Sequence, residues 1–563
     1  MTVEVASDIP SEMRDGTILR ADTYRSPGGG PRPVLLCRTP YDKRHARYVW
    51  IAHELARAGY LAVIQDVRGR DASEGTWRWH LTPEGHELEA RDGYDSCEWA
   101  ATLSGSDGQV GTWGNSYPSG CAWWMASARP PSLTALFTSG FPVSHRVATA
   151  GIFETGIRFR WQHRMAVSSR RRAGDQRYPR TVEEASHNWD VLERGKWVWH
   201  LPLSDVPDRL FGPIAEPQRE YMASIAEEHW GLDRLHPRVE VPTCTLTGWW
   251  DRLSSCADHF VGMCEHGPEH LQGEHRLVIG PWVHDVESEP DHHDPRGRGA
   301  GPDESYLAQL LRWSDHHLKG RDVGFAGEQP VKLFILNSGW RFFATWPPPG
   351  AVQQRWYLHS GGDAATAYGD GRLDREEPGS EPPDRYVYDP VDPVMSLHEG
   401  QLAPCDQTPL GDRPDLLVYR SAPLEQDLEV IGPVVARIWF ASDQPDTDVV
   451  VRLIEEPADG PPLNLSQGIL RARYRHGFDL ESPLVPDEAD EFVVRMSAVG
   501  IRFLRGSRIR VDVTSSDFPA FDRNHNTGRP YLTDKELRPA RQTVLHDREY
   551  PSSLTLPVRA RPA

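Results

Sequence analysis

Three short stretches of this 563-residue chain carry residue types that together perform acyl transfer. GTWGNSYPSG (Gly111–Gly120) sets Ser116 two residues after Gly114, with small residues behind it. TLTGWWDRL supplies Asp251, and RLVIGPWVHD supplies His284. A serine hydroxyl is a weak nucleophile until a histidine takes its proton and an acid orients that histidine. The GxSxxxG spacing falls short of the stricter GxSxG, and an ordinary turn serine reads the same in isolation. The case for chemistry therefore rests on where the three stretches sit.

The flanking elements place them. PVLLCRTPY and LAVIQDVRG are continuous apolar runs of the kind buried in parallel sheets. WIAHELARAGY and EGHELEARDGYDSCEWAATL have helical spacing. QVGTWG reads as a further strand, and the helix opening at Ser116 follows it directly, with Pro118 in its first turn. This alternation predicts a parallel α/β sheet. Asp251 and His284 each fall just past a later buried strand, VPTCTLTG and HRLVIGPW. Ligand sites of open α/β sheets lie at the carboxyl ends of strands, and Ser, Asp, His is the chain order such a hydrolase uses.

Between the two halves of this pattern, residues 141–241 show helix-like stretches and no clear buried strand, predicting a helical cap. From 325 to 563, beginning with VKLFILNSGW, short strands alternate with turn signals, predicting an all-β jelly-roll. The catalytic part is thus expected over 1–140 and 242–324.

A net charge of −19 argues against a nucleic-acid binder, which needs a basic surface. The Arg170–Arg172 run reads as a solvated face. Seven scattered cysteines without a CxxC pair predict reduced thiols and no zinc site. The N-terminal stretch lacks an apolar segment of the signal-peptide kind, and no run is long enough to span a membrane, so a cytoplasmic enzyme fits. No cofactor or metal is expected. DHHD (Asp291–Asp294) is too compact along one loop to read as a ligand set.

Other residues have two readings. Trp249 and Trp250 read equally as pocket walls or as core. Asp66 is expected to hold loops together through Arg68, and Asp42 and Lys43 to form a surface ion pair or position the Tyr41 loop.

The chain resembles the cocaine-esterase / X-Pro dipeptidyl-peptidase group of α/β-hydrolases, the CocE/NonD hydrolases. RTPYDK, QDVRGRDASEG, GQVGTWGNSYPSG, GWWDR and GPWVH carry the resemblance in the catalytic part. YDPVDPV, DTDVVVRL and SSDFPAFDRNHNTG carry it in the β part. It implies an α/β-hydrolase fold with Ser116 as nucleophile, His284 as base and Asp251 as orienting acid. It further implies an oxyanion hole from the Tyr41 hydroxyl and the Tyr117 backbone N–H. The family usually has Gly three residues after the nucleophile, where this chain has Ser119, followed by Gly120.

Carboxylic-ester hydrolysis on a small-molecule substrate is the expected activity. X-Pro dipeptidyl peptidase, α-amino-acid ester or β-lactam acylase, and acyltransferase activities share the acyl-enzyme and remain alternatives. A peptidase would need carboxylates for a free amine; Glu227 and Glu228 are candidates that read more simply as a solvated helix face. A binding role through the β part, with an inactive hydrolase attached, is disfavoured by the complete Ser, Asp, His set. A homo-oligomer is left open.

Overall fold

Strands β3 (Arg32–Thr39) and β4 (Leu61–Asp66) have almost every residue buried, which the apolar runs in the sequence require of a sheet covered on both faces. In the computed structural model, which describes residues 2–79, 82–175, 178–206, 208–252, 255–286, 304–398 and 404–559, they lie inside a ten-stranded sheet. Its other strands are β1 (Glu4–Glu12), β2 (Ile18–Arg25), β5 (Ser106–Thr112), β6 (Leu133–Ser139), β7 (Thr243–Trp250), β8 (Arg276–Val283), β9 (Val331–Ile335) and β10 (Gly339–Phe343). The order is β1-β2-β4-β3-β5-β6-β7-β8-β9-β10, with β4 through β9 parallel. β1 and β2 form the hairpin that Asp15-Gly16 signals, with Gly16 at φ 81°.

Helices cross between the strands. α1 (Ala46–Arg57) buries Tyr48, Ile51, Ala52, Leu55 and Ala56, a single stripe at helical spacing. α2 (Pro83–Ala101) starts on an N-cap, where the Thr82 side chain accepts from the Gly85 N–H at 3.1 Å. α3 (Tyr117–Ser127) is buried along its whole length and has no polar face. The stretch between β6 and β7 is helical; α4 (His145–Thr149) and α5 (Thr155–Arg172) open it.

From Ala351 onward an eleven-stranded, mostly antiparallel sheet builds the all-β part. VKLFILNSGW, expected among its strands, instead supplies β9 and β10 and extends the first sheet. The helix Tyr306–Lys319 returns the chain beside β8, where the buried VKLFI run pairs in parallel. One apolar core joins the two sheets, from Trp249, Trp250 and Ile279 to Val430 and Ile501. Among the described residues, no helix is long and apolar enough to cross a membrane.

Candidate active site

Ser116 stands at the turn from β5 into α3 with φ 63° and ψ −126°, a conformation that non-glycine residues avoid. Neighbouring bonds hold it there. The Ser116 N–H donates to the Ser139 carbonyl at 2.9 Å, and the Ser119 N–H donates to the Ser116 carbonyl at 2.9 Å. Gly114, at φ 144°, cannot be replaced without collision, because a Cβ there would lie 2.4 Å from Pro118 Cβ. Ser119 takes a structural part of its own. Its hydroxyl donates to the Gly114 carbonyl and accepts from the Ser139 N–H, both at 2.8 Å. Gly120 supplies the close approach: a Cβ there would meet the Phe141 ring at 2.8 Å. The two residues divide the work of bracing the turn and packing the helix.

Asp251 follows β7 and is buried; His284 follows β8 and is only slightly exposed. His284 Nδ1 lies 3.0 Å from Asp251 Oδ1. With Nδ1 donating to that carboxylate, Nε2 is left as the basic nitrogen. Burial opposes charging of His284, but the Asp251 charge and hydrogen bond outweigh it, so its pKa rises above the ordinary value. Asn115 couples the serine turn to the histidine loop: its amide donates to the His284 carbonyl at 2.8 Å and accepts from Ser139 Oγ at 2.8 Å.

Tyr41 sits in the loop after β3. Its hydroxyl oxygen accepts from Trp161 Nε1 of α5 at 3.0 Å and interacts with the Ser116 side chain. Accepting from the indole leaves the phenolic O–H to donate on the serine side. Burial pushes the Tyr41 pKa up, so the phenol keeps its proton. The Tyr117 N–H belongs to the first turn of α3, whose amide groups point out of the helix end. The Tyr117 ring is buried and its hydroxyl accepts from Trp77 Nε1 at 3.2 Å.

Other sequence candidates are placed differently. Trp249 and Trp250 are buried in the core shared by the two sheets, and Trp249 Nε1 donates to the Phe334 carbonyl at 2.6 Å. Asp66 is not held by Arg68, which reaches Asp92 on α2 at 2.7 Å. Asp66 accepts instead from the Lys43 N–H at 2.7 Å, with Lys43 Nζ 3.3 Å away. Lys43 is fully buried and also meets Asp8 at 2.7 Å, so it forms no surface pair; Asp42 pairs with Arg44. Glu228 accepts from the N–H groups of His145, Trp230 and Gly231, which ties down the insertion, while Glu227 is exposed. Asp291–Asp294 lie outside the described residues.

Sequence reasoning missed Asn115, Trp161 and a cluster behind Asp251. There Glu154 accepts from Arg252 at 2.6 Å and Arg158 at 2.8 Å, fastening the loop after β7 to the insertion. Burial alone would raise the Glu154 pKa, but the two guanidiniums hold it below the usual value. A cavity of about 160 Å³ opens beside Asp251, Arg252 and Glu154 toward Gln467 and Phe521 of the β part. Among the described residues, Glu274, His316 and His317 bring three ligand-type atoms within 4.8 Å of one another. That group lies near the start of β8, away from His284 at its other end.

Comparison with known proteins bears on this arrangement. Residues 15–285 match the X-Pro dipeptidyl-peptidase (S15 family) model, and 323–555 match the X-Pro dipeptidyl-peptidase C-terminal non-catalytic domain. The chain is 32% identical to cocaine esterase of Rhodococcus sp. (strain MB1 Bresler), covering 98% of each chain. It is 25% identical over 90% of each chain to a putative serine esterase of Mycobacterium bovis. Among solved structures, an aminopeptidase from a Thaumarchaeota archaeon covers 99% of this chain and 96% of its own at TM-score 0.81 and 24% identity. An α-amino acid ester hydrolase superposes at TM-score 0.77 and 23% identity, covering 99% and 97%. These two likenesses speak to the fold.

Proposed function

The chain belongs to the CocE/NonD family of cocaine-esterase and X-Pro dipeptidyl-peptidase-like serine hydrolases, and from that premise we propose how its residues hydrolyse a carboxylic ester. Ser116 Oγ attacks the ester carbonyl as His284 Nε2 takes its proton. Asp251 holds the imidazole in the required tautomer and stabilises its charged form. The Tyr41 hydroxyl and the Tyr117 N–H receive the oxyanion. His284 then protonates the leaving alcohol, and water, deprotonated by the same nitrogen, releases the acid. No step needs a cofactor or metal.

The observation that supports the assignment is that Ser116, Tyr41, Asp251 and His284 each follow one of four parallel strands, with His284 bonded to Asp251 and to Asn115 beside Ser116. Ester rather than aminoacyl-peptide hydrolysis is favoured because Glu228, a candidate for binding a substrate amine, is already engaged by three backbone N–H groups. We further infer a jelly-roll topology for the β part, and a cytoplasmic setting from seven cysteines that form no disulfide with one another.

The test is a panel of 4-nitrophenyl esters, aminoacyl-proline anilides and alcohol acceptors, run on the protein and on Ser116→Ala. Ester hydrolysis and fluorophosphonate labelling that both vanish in Ser116→Ala are expected. Faster cleavage of alanyl-prolyl anilide would move the assignment to a dipeptidyl peptidase. Acyl transfer to the alcohol in preference to water would make the protein an acyltransferase.

A further inference from the structure

Helix α5 presents Trp161, Arg164, Ser168 and Arg171, spaced three and four apart, on one face. Trp161 holds the Tyr41 hydroxyl at 3.0 Å. One turn on, Arg164 lines a cavity of about 320 Å³ whose wall also includes Tyr41. The other charged groups of that cavity are largely accounted for. Arg44 pairs with Asp42, Arg171 with Asp71, and His45 lies 3.5 Å from Glu183. Arg70 donates to the Pro40 carbonyl at 3.0 Å and the Met165 carbonyl at 2.9 Å.

Arg164 differs. Among the described residues, no carboxylate or carbonyl accepts a hydrogen bond from its guanidinium, and its Nε is buried without a partner. Burial lowers its pKa, yet an arginine stays charged across the working pH range. Asp285 and Glu183 attract it without accepting its hydrogen bonds, so an anion docking in the cavity takes up donors that the fold leaves unused.

We propose that this pocket binds a free carboxylate carried by the ester substrate, with the Arg164 guanidinium as its partner. This rests on the ester-hydrolase assignment above. The fork of a guanidinium matches the two oxygens of a carboxylate. A dianionic phosphate fits less well, because Asp42, Asp71 and Glu183 line the same space and would repel the second charge. The tie to catalysis is Tyr41, which lines the cavity and also contacts the Ser116 side chain. Tyr41 is the wall residue that the cavity shares with the Ser116 turn, so a molecule seated on Arg164 must reach past Tyr41 to put its carbonyl at Ser116.

Two matched pairs of esters test this on the full chain. Mono-4-nitrophenyl glutarate against 4-nitrophenyl pentanoate puts the carboxylate on the acyl side. 4-Acetoxybenzoate against 4-acetoxybenzamide puts it on the leaving group. The readout is the ratio of kcat/KM, acidic over neutral, within each pair. In the unaltered protein one pair should show a ratio of about tenfold or more, expressed in KM. Arg164→Gln should collapse that ratio toward one, and Arg164→Lys should restore part of it. A ratio near one for both pairs in the unaltered protein overturns the proposal. So does a ratio that Arg164→Gln leaves unchanged, including a uniform loss on acidic and neutral esters, which would mean Arg164 acts through Tyr41 on the oxyanion. Failure of the hydrolase assignment looks different: no ester of either pair is turned over and Ser116 takes no fluorophosphonate label.

Discussion

The Asn115 amide donates to the His284 carbonyl at 2.8 Å, so the residue before the proposed nucleophile braces the loop of the proposed base. The same side chain accepts from Ser139 Oγ, and Ser139 in turn anchors the Ser116 N–H. The serine turn and the histidine loop are thereby one hydrogen-bonded unit, although 169 residues separate Asn115 from His284 in the chain. Asn115→Ala removes both bonds and leaves buried groups unpaired, which costs about 1–3 kcal/mol. We expect a lower denaturation midpoint and a kcat reduced about tenfold or more, since a base displaced by ~1 Å loses much of its effect. Urea unfolding and steady-state kinetics on one ester check both. A kcat equal to that of the unaltered protein would show that the His284 loop is positioned by other contacts.

Tyr41→Phe tests the oxyanion hole. The substitution removes one hydroxyl and leaves the ring packed beside Tyr117, 6.3 Å away between centroids. Loss of one oxyanion donor typically lowers kcat by about 10²–10³ with little change in KM. Fluorophosphonate labelling of Ser116 should persist at a reduced rate. A fall in KM-controlled terms alone would place the hydroxyl in substrate binding.

How far the sequence reaches is clearest at these residues. The strand-end positions of Ser116, Asp251 and His284 are legible because each follows a buried strand, and strand ends are set by local apolar runs. The parallel sheet was legible for the same reason. Asn115 stood in view within GNSY, but its role depends on Ser139 and His284, which only the folded sheet brings near. Trp161 lies 120 residues from Tyr41, inside a helical stretch whose spacing says only that it is a helix. β9 pairs with β8 in the first sheet although its apolar pentapeptide reads alike for either sheet, because burial pattern alone carries no information on the partner strand.

Lys43 illustrates the same limit. Beside Asp42 in the sequence it reads equally as half of a surface pair or as a brace for the Tyr41 loop. In the fold, β1, β2 and β4 each bring an acid to it: Asp8 at 2.7 Å, Asp22 at 3.7 Å and Asp66 at 3.3 Å. Lys43→Met would strand the two buried acids, Asp22 and Asp66, without their cation. Breaking a buried pair on one side costs about 3–5 kcal/mol, and that loss should appear as a lower urea midpoint. Because Asp66 also caps the loop that carries Tyr41, through the Lys43 N–H, activity should fall as well. A midpoint within error of the unaltered protein would mean these acids are protonated and need no counter-ion.

The base determines the pH profile. As the proposed base, His284 must be neutral to take the Ser116 proton, so activity is expected to fall on the acid side as it protonates. Burial lowers its pKa, but Asp251 more than compensates and holds it above the ordinary value. The acid limb of kcat/KM should therefore have an apparent pKa above about 6.5. Asp251→Asn removes the charge that favours protonation and leaves the burial. The limb should then move to lower pH, while kcat drops about 10⁴-fold because the tautomer is no longer fixed. Stability follows the same linkage in the opposite sense. A histidine whose pKa is raised by folding stabilises the fold fully below its unfolded pKa, and that contribution fades as pH rises through the folded value. The stability gap between the unaltered protein and Asp251→Asn should thus narrow from pH 6 upward. A pH–rate profile on both proteins, with urea unfolding at several pH values, reads the two effects. An acid limb that stays in place in Asp251→Asn would show that another group, rather than Asp251, sets the proton affinity of the base.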